Sequence, residues 1–65
     1  MIIRYTFKET RPHSAGVQEI FYNAWALLPD NSNDAIILKT GAQMAEDLNS
    51  KITLHKYKIV NNIGD

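Results

Sequence analysis

No cysteine occurs anywhere in these 65 residues, and that absence limits the possible folds more than any other feature of the chain. A domain this short buries only about 60% of the surface that its unfolded chain exposes. Small folds usually offset the deficit with disulfides, a metal ion or association with another chain. Disulfides are excluded here. The two histidines, His13 and His55, stand far apart and in no ligand spacing, so neither a metal nor another cofactor is expected. Self-association or a complex with another protein is then the most available support, and a homodimer is a natural expectation.

The chain is otherwise an ordinary globular one. Hydrophobic residues make up 45%, and seven Lys and Arg balance seven Asp and Glu, so the net charge is zero. That balance argues against intrinsic disorder. The longest apolar runs, Ala24 to Leu28 and Ala35 to Leu38, are far shorter than a membrane span. Met1-Ile2-Ile3-Arg4 lacks the pattern of a secretory signal. A cytoplasmic location is the expectation.

Residues 2–8 alternate, with Ile3, Tyr5 and Phe7 on one side and Ile2, Arg4, Thr6 and Lys8 on the other. This is the period of a strand. Glu9 to His13 contains Pro12 and reads as a loop. Ser14 can cap a helix to about Leu28, because Val17, Ile20, Phe21, Ala24, Leu27 and Leu28 fall on one helical stripe with Trp25 at its edge. Pro29 would end it. Ala35 to Lys39 is short and apolar on both faces, which suggests a central strand. Thr40-Gly41-Ala42-Gln43 has capping-box form and announces a short helix to about Leu48. Lys51 to Val60 is a third strand that breaks phase. Ile52 and Leu54 share one side and Tyr57 and Ile59 the other, unless a bulge near His55-Lys56 brings all four together.

The expected architecture is therefore a single α/β (α+β) domain over residues 1–60. Its three-stranded sheet is built in β-α-β-α-β order, with one long amphipathic helix on one face and one short helix. The first two strands would pair in parallel, and the direction of the third is open. Residues 61–65 form a polar tail.

For function, no phosphate loop, paired carboxylate or nucleophile motif appears, so no enzymatic activity is expected. The leading expectation is a protein-interaction module, a small inhibitor or regulator of a host protein of the kind mobile elements encode. Ile2, Tyr22, Trp25, Ile37 and Tyr57 are its candidate contact residues, the tyrosines and Trp25 because such residues dominate binding hot spots. The alternative is nucleic-acid binding by a basic sheet face built from Arg4, Lys8, Lys39, Lys56 and Lys58. A pI of about 6.7 weighs against it, as does the lack of an aromatic interleaved with those bases. A third reading is metal-independent RNA cleavage, using His13 or His55, Tyr57 and nearby bases.

Overall fold

The computed structural model describes all residues, Met1–Asp65. The element order is β1 (Ile2–His13), β2 (Gly16–Leu27), α1 (Asp34–Leu48) and β3 (Ile52–Val60). The three strands form one antiparallel sheet in the order β2-β1-β3. The β-α-β-α-β order with two helices is thus overturned: the fold is ββαβ with one helix, and β1 rather than residues 35–39 is the central strand.

Two local choices account for the difference. Residues 16–27 fit a helical stripe, but they also fit a strand with both faces partly apolar. Tyr22, Ala24 and Ala26 lie on one side, and Phe21, Trp25 and Leu27 on the other. Aromatic and β-branched side chains suit a pleated surface. A two-residue turn at Ser14-Ala15 closes the hairpin, with His13 opposite Gly16. Gly16 has φ +134, a conformation that side chains disfavour. Ser14 is therefore a turn residue rather than a helix cap. β1 also continues through the segment read as a loop. Leu28 N–H donates to Met1 C=O, so the odd residues of β1 bond β2 and the even ones point to the other side. Pro12 is even-numbered, and β3 stops at the Glu9↔Ile52 pair. The missing Pro12 N–H thus falls where no strand needs it.

The helix starts earlier and runs longer than the sequence suggested. The Asn33 side chain accepts from Ile36 N–H at 2.9 Å and Asp34 lies in the first turn, which suits a helix N-terminus. Ile37, Gly41 and Ala45 form its buried stripe, at i, i+4 and i+8. Ala35 to Lys39 is accordingly helix, not strand, and Thr40-Gly41-Ala42-Gln43 lies in its middle.

The core is Ile3, Tyr5, Phe7, Ile37 and Ala45. Burying each large member stabilises the fold by about 1.5–3 kcal/mol. The Tyr5 hydroxyl donates to Ile37 C=O at 2.6 Å, which satisfies the one polar atom of that ring. On β3, Thr6 pairs with Lys56 but Phe7 with Leu54, so His55 is an extra residue in the ladder. This bulge puts Ile52, Leu54, Tyr57 and Ile59 on the helix side together. The helix covers β1 and β3 and does not extend over β2. The last four hairpin pairs, Thr10↔Glu19 to His13↔Gly16, have neither a third strand nor the helix against them.

Candidate nucleic-acid interface

The sheet has one face beneath the helix and one face with no element on it. Alternation assigns the uncovered face. β1 contributes Ile2, Arg4, Thr6, Lys8 and Thr10; β2 contributes Val17, Glu19, Phe21, Asn23, Trp25 and Leu27; β3 contributes Thr53, His55, Lys56, Lys58 and Val60. Arg4, Lys8, Lys56 and Lys58 therefore share this face, and Glu19 is the only acid that the strands turn toward it. Asp34, Glu46 and Asp47 lie on the helix, away from it. The zero net charge hides a molecule with a basic side and an acidic side.

A cleft of about 450 Å³ opens on this face, lined by Arg4, Thr6, Phe21, Asn23, His55 and Lys56. Phe21 on β2 and His55 on β3 reach toward each other across the central strand, with ring centroids 5.2 Å apart and edge-on. The bulge gives His55 its place on this face beside Lys56. On the cleft floor the Thr6 hydroxyl donates to Asn23 Oδ1 at 3.0 Å. That bond engages the carbonyl of Asn23, and its amide N–H groups make no hydrogen bond within the chain. Trp25 stands opposite Arg4 across the β1–β2 ladder. Two buried polar atoms here, Arg4 Nε and Trp25 Nε1, have no hydrogen-bond partner. Arg4 also donates through Nη1 to the Asp65 backbone carbonyl.

The sequence-derived candidates divide. Of the basic set, Arg4, Lys8, Lys56 and Lys58 come together, whereas Lys39 lies on the exposed side of α1 and is removed from the face. Aromatics interleave with these bases after all. A helical period puts Phe21 in the core, and only the strand period, 21-23-25, sets Phe21, Asn23 and Trp25 side by side.

The five protein-contact candidates do not form one surface. Ile37 is 2% exposed and belongs to the core. The Tyr57 hydroxyl donates to Asp34 Oδ1 at 2.7 Å on the helix side, and that bond raises its pKa. Tyr22, also on the helix side, donates to Glu9 Oε1 at 2.8 Å. Only Ile2 and Trp25 lie on the uncovered face. His13 sits at the hairpin tip, about seven residues or 23 Å along the strand from the level of His55, so the two imidazoles cannot act on one bond.

No protein family, no curated protein and no solved structure matches this chain. No helix is long and apolar enough to cross a membrane.

Proposed function

We propose that the uncovered sheet face binds single-stranded nucleic acid without catalysis. One observation carries the reading: Phe21, Trp25 and His55 are interleaved with Arg4, Lys8, Lys56 and Lys58 on a surface toward which the strands turn a single acid, Glu19. Aromatic planes stack on bases of any sequence, and flanking cations follow the phosphates. The cleft beside the Phe21–His55 pair has room for one unstacked base, with the Asn23 amide as a donor to its edge. The absence of cysteine agrees with a reducing, cytoplasmic setting. The alternative of a host-protein regulator draws less support, because its candidate residues are dispersed between core, helix side and open face.

Trp25 is the only tryptophan, so its fluorescence reports binding directly. Titration with a short oligothymidylate should quench it, with an affinity that falls as salt rises. Replacing Lys56 and Lys58 together by Glu should weaken binding and flatten the slope of log K against log salt by about 1.4, at about 0.7 per phosphate contact. Phe21→Ala should cost about 1–3 kcal/mol of binding with little change in that slope. An unquenched Trp25 and an affinity indifferent to both changes would overturn the reading.

A further inference from the structure

The two edges of the sheet are built differently. β3 has Lys56 and Lys58 along it, Lys51 just before it and a bulge at His55, which are devices that prevent an edge from pairing. β2 has none. Its twelve residues include no Lys, Arg or Pro and a single charge, Glu19. It is a long, regular strand and binds β1 along its whole length. Since Leu28 N–H bonds Met1 C=O, the even residues of β2 point their backbone groups at β1. The odd ones, Val17, Glu19, Phe21, Asn23, Trp25 and Leu27, point theirs outward with no strand beyond. On the helix side the same edge borders a groove of about 290 Å³ between Leu48 and Ile52 and the β2 residues Tyr22 and Ala24.

We infer that β2 pairs with β2 of a second copy, antiparallel about a two-fold axis through Tyr22, giving a continuous six-stranded sheet. The register follows from the pattern of free backbone groups. Only odd residues can exchange hydrogen bonds, so the axis must pass through a whole residue. An axis at Phe21 sets Leu27 against the Ser14-Ala15 turn, and an axis at Asn23 sets Val17 against Pro29. The axis at Tyr22 alone matches the strand end to end. It places Val17 opposite the partner's Leu27, Phe21 opposite the partner's Asn23, and Trp25 opposite the partner's Glu19. Val17 and Leu27 are 69% and 80% exposed in the single chain and become neighbours at both ends of the joint. The one charge, Glu19, meets the partner's Trp25 and never meets itself. A second copy is the occupant because the edge is complementary to itself in sequence, length and charge, as an isologous contact requires.

Solution mass by light scattering tests this independently of nucleic-acid binding. The wild-type chain should weigh about twice 7.4 kDa. Val17→Lys with Leu27→Lys sets like charges opposite each other at both ends and should return the mass of one chain. Val17→Lys with Leu27→Glu sets opposite charges there and should restore the dimer. Both positions are exposed in the single chain, and circular dichroism of each variant should match the wild type. A wild-type mass of one chain up to about 1 mM, where pairing would be worth no more than about 4 kcal/mol, would overturn the inference. A double-Lys variant that stays dimeric, or a Lys/Glu variant that stays monomeric, would overturn it equally.

Discussion

Glu9 lies on the helix side of β1 and is only 7% exposed. It accepts from the Tyr22 hydroxyl and from Arg11 Nε, both at 2.8 Å. The Tyr22 bond first, and the Arg11 guanidinium after it, hold its carboxyl below the usual glutamate value. A carboxylate with a lowered folded-state pKa adds stability above its ordinary value near 4.5. That stability is lost as the pH falls through the lower folded value. Thermal melts from pH 6 down to pH 2 should therefore show the wild type losing Tm in acid. Glu9→Gln should melt lower at pH 6 and change less, so that the two curves converge at the acid end; parallel curves would refute this role. The same bond raises the pKa of Tyr22, so its contribution is full below about pH 10 and declines above that.

At the scale of elements, the contact that fixes the helix on the sheet is Gly41. A Cβ there would meet Tyr5 Cε1 at 2.5 Å and Leu54 Cδ2 at 2.9 Å. The nearer neighbour cannot give way, because the Tyr5 ring is held by its bond to Ile37 C=O and is fully buried. Alanine usually improves a helix interior by up to about 1 kcal/mol over glycine, but here overpacking of about 1–3 kcal/mol opposes it. Gly41→Ala should lower the stability measured by urea unfolding, whereas a stabilised variant would mean that the helix stands off the sheet. The sequence disclosed residues 2–8 of β1 and the span of β3 because each has a strong local signal: strict alternation in one, and in the other a phase break that left a bulge near His55 or a switch of faces open. It concealed β2, the outer part of β1 and the first half of α1, because these are decided by distant contacts. Residues 16–27 satisfy the helical and the strand period almost equally, and pairing with β1 selects the strand. Gly41 resembles a helix boundary until Tyr5 is seen beneath it. The basic half of the candidate site was legible as Arg4, Lys8, Lys56 and Lys58. The aromatic half was not, since Phe21 and Trp25 take their places only when β2 is a strand.

The whole molecule is elongated, with extents of 45 × 21 × 15 Å, because the β1–β2 hairpin continues past the end of β3. Its stability is correspondingly uneven. Ile3, Tyr5 and Phe7 are fully buried between two partner strands and the helix, while residues 10–19 form an exposed two-stranded ribbon. Isolated hairpins are marginal in water, so this ribbon opens without the rest. Amide hydrogen exchange should be fast at Arg11, Gln18 and His13 and should approach the global rate at Tyr5 and Phe7. Uniform protection along β1 would contradict that division.

The ribbon also separates covalent continuity from structural integrity. Ser14-Ala15 is the outermost peptide link of the chain, and its cleavage removes no buried side chain. Eight cross-strand pairs, from Ile2↔Leu27 to Glu9↔Ile20, remain on the body side of such a cut. A protease nick there should leave two fragments held by those pairs, and a separate peptide of residues 1–14 mixed with residues 15–65 should restore the circular dichroism of the intact chain.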